Sequence, residues 1–262
     1  MKKYLLLIFA ILILIIIVVK DTTAIKVNSI TIHSKKLLSN QEINMLQITD
    51  VHNRNLDGKY HHLTELKPDL IVLTGDLIDR KTTDLENTKN LLAQLSTINC
   101  PIYFVSGNHE QDSLIFHQLR QVLNDYGVTE LVNESINLTI NDVSFNLVGI
   151  SNYTTGHADI DAAFEAVDLS KTTVFLSHAP LTIDHQVELI LSGHTHGGQI
   201  RVPFIGGIIA PDQGFFPKYD KGLYQLDSGA SLYIDSGLGT SVWPIRFLNP
   251  AQVSMITLTG KN

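Results

Sequence analysis

Leu70-Ile71-Val72-Leu73-Thr74-Gly75-Asp76-Leu77-Ile78-Asp79 is the stretch on which the fold turns: an apolar, β-branched run that breaks at a glycine and delivers two carboxylates. A run of that length bounded by polar residues reads as a buried strand running into a loop. The same grammar recurs along the chain. Met45 to Thr49 leads into Asp50-Val51-His52, and Ile102 to Ser106 into Gly107-Asn108-His109-Glu110. Val174 to Ser177 leads into His178, and Leu189 to Ser192 into Gly193-His194-Thr195-His196. In an open α/β sheet the ends of neighbouring strands share one edge, so these five loops can converge on a single crevice.

Outward from these strands, Lys59 to Leu66, Leu85 to Leu95, Leu114 to Tyr126 and Ala162 to Val167 carry helical patterning. Strands alternating with helices predict parallel βαβ units. Ile136 to Ile140, Asn141-Asp142 and Val143 to Ile150 predict a hairpin, so the α/β sheet is expected to be mixed. Further strands are expected near Ser231 to Ile234 and Gln252 to Leu258, with no linker dividing residues 43–262. Val27 to Ile32 reads as a strand or a tether, and Lys35 to Gln41 as a polar turn.

Tyr4 to Val19 is free of charge, with Lys2-Lys3 before it and Lys20-Asp21 after it. It reads as an uncleaved signal anchor over residues 1–20, with a cleaved signal peptide and a buried core helix as the competing readings. The N-terminal lysines place that end in the cytoplasm and the rest of the chain outside it, at the cell membrane. Residues 21–42 are then a tether and first strand, and residues 43–262 the functional domain. At 44% hydrophobic and 17% charged, the 262 residues are not those of a disordered, collagen-like or coiled-coil protein. A single cysteine, Cys100, excludes an intramolecular disulfide and a multi-cysteine zinc site. Three of the 19 Lys and Arg lie in the first twenty residues, whereas all 26 Asp and Glu follow them. So acidic a body argues against nucleic acid as a partner.

Taken together, Asp-x-His, Gly-Asp-x-x-Asp, Gly-Asn-His-Glu, a lone His and Gly-His-x-His stand in that order at strand ends. The chain resembles the calcineurin-like metallophosphoesterases over residues 43–200 and more loosely to its end. Within that family it is similar to a bacterial membrane-associated branch, through its apolar N-terminus, Gly197-Gly198-Gln199-Ile200-Arg201, Gly237-Leu238-Gly239-Thr240-Ser241 and Pro244-Ile245-Arg246-Phe247. The resemblance implies an α/β/β/α fold, a two-sheet mixed β sandwich flanked by helices. It implies two divalent metal ions, one held by Asp50, His52 and His196, the other by Asn108, His178 and His194, with Asp76 bridging them. Oxygen and imidazole ligands suit Mn, Fe or Zn. Such a pair would turn a bridging water into hydroxide for in-line attack on a phosphomonoester or phosphodiester.

His109 cannot share a metal with its neighbour Asn108 without strain, so it is the expected catalytic residue, as general acid on the leaving oxygen or as a stabiliser of charge on it. Glu110 is the candidate to orient it, or else a solvated loop carboxylate. Asp79 reads as a partner to a ligand or as a helix cap, and Arg201 and Arg246 as phosphate contacts or structural ion pairs. Phe204, Phe215, Phe216 and Tyr219 read first as core, with a pocket rim or a surface dipping into lipid headgroups as alternatives. His33, His61, His62, His117, His157 and His185 carry no role. The membrane tether favours substrates at the same surface, lipid headgroups or lipid-linked phosphates. A nuclease or nucleotide phosphodiesterase, or a metal-binding module at the cell surface without useful catalysis, is the alternative.

Overall fold

Two six-stranded sheets carry the body of the chain, in a computed structural model that describes residues 2–240 and 243–261, the side chain of His62 excepted. Ser241 therefore lies outside the described residues. Along the chain come α1 (Lys2–Thr23), β1 (Ile25–Ser34), β2 (Glu42–Ile48), α2 (His61–Thr64), β3 (Leu70–Leu73), α3 (Glu86–Ser96) and β4 (Ile102–Phe104). Next are α4 (Asn108–Gln111), α5 (Phe116–Asp125), β5 (Val128–Glu130), β6 (Glu134–Ile140), β7 (Val143–Gly149) and α6 (Ile160–Phe164). The remainder is β: β8 (Thr172–Leu176), β9 (Leu189–Ser192), the short pairs β10 (Arg201–Val202) with β11 (Gly206–Gly207) and β12 (Ile209–Ala210) with β13 (Gly214–Phe215), then β14 (Gly222–Gln225), β15 (Ser231–Ile234) and β16 (Ala251–Gly260).

The first sheet runs β1-β16-β2-β3-β4-β5, and the second β14-β15-β9-β8-β7-β6. Both are mixed, as expected: β2 to β5 are parallel while β16 opposes β2, and β7, β8, β9 and β15 are parallel while β6 and β14 oppose their neighbours. The β6–β7 hairpin turns on Asn141 and Asp142, both at positive φ, as a type I′ turn requires.

Three apolar layers follow from the alternation of side chains along these strands. Met45, Val72, Phe145, Val174, Leu191 and Ile256 fill the space between the sheets. Leu46, Ile71 and Phe104 face outward onto Leu91, Leu92 and Leu95 of α3 and Leu119 and Leu123 of α5. Phe175, Ile190 and Leu232 do the same toward Ala163 and Phe164 of α6. The architecture is thus the expected sandwich flanked by helices.

Several local expectations shift. Val27 to Ile32 is the strand of its two readings, part of β1, whose ten residues pair in parallel with β16. The helix expected over Lys59 to Leu66 contracts to α2, where Leu63 is buried but His61 is exposed and Pro68 stops continuation. Leu114 is solvent-exposed and α5 starts only at Phe116. Asp159 caps α6 by accepting from the Ala162 N–H at 3.0 Å, which starts that helix two residues earlier than expected. Helix α1 has 22 residues, is almost wholly exposed and is long and apolar enough to cross a membrane.

Candidate metal centre

The loops after β2, β3 and β4 leave one sheet, and those after β8 and β9 leave the other, at the seam where the strand ends meet. These turns are sharp. Asp50, His52, Asp76, His194 and His196 all sit at φ between 49° and 68°, the left-handed region that costs a side-chain-bearing residue roughly 1–2 kcal/mol. Neighbouring loops hold them there: Asp50 N donates to Gly75 O at 3.0 Å, His52 N to Asp76 O at 2.9 Å, and His194 N to Asp50 Oδ2 at 2.9 Å. Glycine is required where loop backbone passes a carboxylate. A Cβ on Gly193 would lie 2.3 Å from Asp50 Oδ2, and one on Gly107 2.2 Å from Asp76 Oδ1.

Asp50, His52 and His196 form one group of ligand-type atoms and Asp76, His178 and His194 another, each within 4.8 Å internally. His52 Nε2 and His196 Nε2 face each other at 3.1 Å, and His196 Nε2 lies 3.4 Å from Asp50 Oδ1. In the second group His178 Nε2 is 3.2 Å from Asp76 Oδ2 and 3.1 Å from His194 Nδ1. Asp76 also reaches the first group, its Oδ2 being 3.7 Å from His52 Nε2. Asn108 Oδ1 is buried with no hydrogen-bond partner, as are the Nδ1 atoms of His52 and His196. Facing imidazole lone pairs beside an unpartnered amide oxygen and two carboxylates fit divalent cations, which need such donors and no thiolate.

Other partners fix which nitrogen each ring turns inward. A carbonyl only accepts, so His178 Nδ1 donates to Thr74 O at 2.8 Å and turns Nε2 toward Asp76. His194 Nε2 lies 2.8 Å from Asp212 Oδ2, which leaves Nδ1 for the site. The backbone N–H of Arg80 donates to His109 Nδ1 at 3.1 Å, so in neutral His109 the proton sits on Nε2, the nitrogen that faces Asp76 at 4.0 Å.

Residues 43–198 match the calcineurin-like phosphoesterase family. The chain belongs to that family. It is 32% identical over 207 residues to the uncharacterised metallophosphoesterase YkuE of Bacillus subtilis (strain 168), covering 76% of this chain and 71% of that one. It is also 32% identical over 244 residues to YkoQ of the same organism, covering 87% and 88%. An uncharacterised metallophosphoesterase of Helicobacter pylori (strain J99 / ATCC 700824) is 30% identical over 258 residues, of which this chain spans 65% of the length. The chain is a metal-dependent phosphoesterase, a hydrolase of phosphoric esters.

In the phosphoesterase without bound cation, burial pushes the Asp50 carboxyl up to about 6 and the His52 imidazole down to about 4. Burial would also raise Asp76, but the adjacent His178 holds it well below the carboxylate range. Burial likewise disfavours the His178 cation, yet Asp76 holds that imidazole at about 10. Burial lowers His52 and His196 alike, which keeps both imidazoles neutral with lone pairs to offer a cation, beside the paired Asp76 and His178. Burial lowers His109 as well.

Around this centre some expectations are corrected. Glu110 does not touch His109: its buried carboxylate accepts from the N–H groups of Asp76 (2.8 Å), Gly107 (2.8 Å) and Ile78 (3.1 Å), and so shapes the Asp76 loop. Asp79 is the carboxylate beside His109, its Oδ2 lying 3.5 Å from His109 Nδ1 and 3.8 Å from His52 Nδ1. Arg246 is fully buried, its guanidinium bound to the Gly239 and Ser236 carbonyls, and cannot reach a phosphate. Arg201 pairs with Asp220 at 2.8 Å and with the Gly197 carbonyl at 2.9 Å. Phe204, Phe215 and Phe216 are exposed rather than core, whereas Tyr219 packs on Tyr224.

The metal groups open into a cleft of about 540 Å³ whose walls include Arg80 and Lys81. Sequence reasoning passed over both, although they follow Asp79 directly and supply the positive wall that Arg201 and Arg246 do not. It also missed Asp212 and Asn249. Nothing local marks them, because each acts across a loop closed by tertiary packing.

Proposed function

We propose that this phosphoesterase is dinuclear and membrane-anchored, with Asp50, His52 and His196 holding one divalent ion, Asn108, His178 and His194 the other, and Asp76 bridging them. The observation that carries the reading is Asp76, whose Oδ2 lies within 3.7 Å of an inward nitrogen from each group. Mn, Fe and Zn suit these donors equally. Divalent ions there acidify water and polarise phosphoryl oxygens, the chemistry of hydrolysis at phosphorus.

The chain's own groups do the rest. His109 presents Nε2–H as a hydrogen-bond donor to the leaving oxygen of the ester, where it stabilises the charge that develops, held in that tautomer by the Arg80 amide. Arg80 and Lys81 complement the charge of a phosphomonoester or phosphodiester in the cleft. Asp212 and Thr74 keep the His194 and His178 rings turned inward. Helix α1 anchors the enzyme, with Lys2 and Lys3 on the cytoplasmic side and the catalytic body outside. Substrates held at the same bilayer, lipid headgroups or lipid-linked phosphates, gain effective concentration from that tether.

The test is hydrolysis of bis(p-nitrophenyl) phosphate and p-nitrophenyl phosphate by the detergent-solubilised full chain, after chelation and then with Mn, Zn or Fe returned singly. Metal-restored turnover with two ions per chain is expected, and the faster ester gives the preference. One ion per chain would overturn the dinuclear reading, and two bound ions with no turnover on either ester would overturn the catalytic one.

A further inference from the structure

An apolar groove of about 460 Å³, within the range of small-molecule sites at ~300–1,000 Å³, runs beside the metal cleft. Ile200, Ile208, Ile209, Ala210, Phe215 and Trp243 line it. Its inner end is His196 and Pro211, both of which also line the cleft, so the two cavities share a wall at the metal centre. Resting on the phosphoesterase reading above, we propose that this groove seats the hydrocarbon part of an amphiphilic phosphoester taken from the membrane that holds α1.

The base of α1 is built into this corner of the molecule. Arg246 N donates to Thr22 Oγ1 at 2.9 Å, Asn249 N to Asp21 Oδ2 at 3.1 Å, and Arg54 to the Thr22 and Thr23 carbonyls. Trp243 and Ile245 immediately precede Arg246, and the Gln199 side-chain amide holds both of their carbonyls. The groove's tryptophan therefore sits a few residues from the point where the apolar helix leaves the body.

Around it the surface is apolar. Phe215 is 72% exposed, Trp243 55% and Ile209 43%, and the exposed Phe216 follows Phe215 directly. Exposed apolar side chains grouped along one groove make a patch of the kind that marks an interaction surface, and a tryptophan beside a membrane-spanning helix belongs at the bilayer interface. A substrate with no hydrocarbon would need neither the groove nor the patch. The β12–β13 hairpin that carries Ile209 and Phe215 also carries Asp212, which holds His194. A chain lying in the groove thus packs against the loop that orients an imidazole of the metal centre.

The experiment uses the full chain in vesicles of equal parts phosphatidylethanolamine and phosphatidylglycerol, with methyl, butyl and octyl p-nitrophenyl phosphodiesters below their micellar concentrations. We expect kcat/KM to rise at least about tenfold from methyl to octyl, and the rise to shrink below about twofold in Ile209→Asp. Octyl partitions equally into both vesicle preparations, so an equal rise in variant and wild type would overturn the groove. Metal-dependent turnover with no rise would overturn it alone, whereas no metal-dependent turnover of any ester would overturn the phosphoesterase reading as well. A second measurement does not depend on the variant. Trp243 is the chain's single tryptophan, so its emission reports the patch directly. Quenching by lipids brominated near the headgroup is expected; unhindered quenching by aqueous iodide, or protection that tracks self-association without lipid, would overturn the proposal.

Discussion

Asn249 holds the carbonyl oxygen of His196 at 2.7 Å through its side-chain amide. Its backbone N–H meanwhile donates to Asp21 near the end of α1, so one residue joins the apolar helix to the metal centre. His196 sits at φ 49°, and a strained residue persists only where its surroundings over-determine it. Asn249→Ala should therefore weaken metal affinity by roughly 10–100-fold, the usual cost of losing an outer partner. Titration against a competing chelator measures it. Asp21→Ala removes only an acceptor for a main-chain N–H and should cost less; the reverse order would break this account.

Asp76 and Asp212 separate a shared ligand from a supporting one. Asp76→Asn should strip both ions together, because its carboxylate faces both groups. Asp212→Asn should leave one ion in place and weaken the other about 10–100-fold, since it touches only His194. Metal content after gel filtration distinguishes the two. Loss of a single ion from Asp76→Asn would remove the bridging assignment.

His109 should split binding from turnover. Its Nδ1 accepts from the Arg80 N–H and its Nε2 lies 4.0 Å from Asp76, within 4.8 Å of ligand-type atoms of His52 and Asp76 but outside the two sets proposed for the ions. His109→Ala is expected to keep wild-type metal content and lose about 10²–10³-fold in kcat, the range for removing one donor to a developing oxyanion. The loss should be smallest on esters with the most acidic leaving groups, which depart as anions without that donor. An equal loss across leaving groups would make His109 structural.

The five strand-end clusters were legible in the sequence because ligand-type residues must stand at strand termini, and apolar runs such as Leu70–Leu73 show where those termini are. The layers were legible for the same reason. Side-chain direction was not. Residue type left Arg246 and Arg201 open between phosphate contacts and structural ion pairs, and their guanidinium groups turn to the Gly239, Ser236 and Gly197 carbonyls and, for Arg201, to Asp220. Glu110 looked like a partner for the adjacent His109, yet an α4 of four residues points the two away from each other, and three backbone N–H groups claim the carboxylate. Phe204, Phe215 and Phe216 carry the composition of a core on hairpins too short to reach one.

Close approach predicts the cost of a single methyl group. A Cβ on Gly193 would meet Thr49 Oγ1 at 2.1 Å and Asp50 Oδ2 at 2.3 Å, and neither yields readily, since the single hydroxyl hydrogen of Thr49 lies between two acceptors, Asp50 Oδ2 at 2.8 Å and the Thr74 carbonyl at 3.0 Å. Gly193→Ala should lower stability by about 1–3 kcal/mol, the range for overpacking, and displace Asp50 from its metal. Thermal unfolding read beside metal content checks it. A stable variant with both ions would show that the loop relaxes freely.

Asp220 sets an acid limit on the hairpins that carry the apolar groove. Burial alone would raise its carboxyl, but Gly207 N at 2.7 Å, the Tyr224 hydroxyl at 2.7 Å and Arg201 at 2.8 Å outweigh it and hold the group below its ordinary value. A depressed carboxylate contributes stability above the unfolded value, near 3.9, and loses it as pH falls through the lower folded value. Asp220→Asn should therefore cost about 1.5–3 kcal/mol at neutral pH, as for a hydrogen-bonded charge. The gap in Tm between variant and wild type should hold steady while the pH stays well above the unfolded value and close as it falls below that value. Unfolding scans across that window test the sign: a gap that widens as the pH falls would mean the carboxylate is raised, and that Arg201 does not anchor the loop.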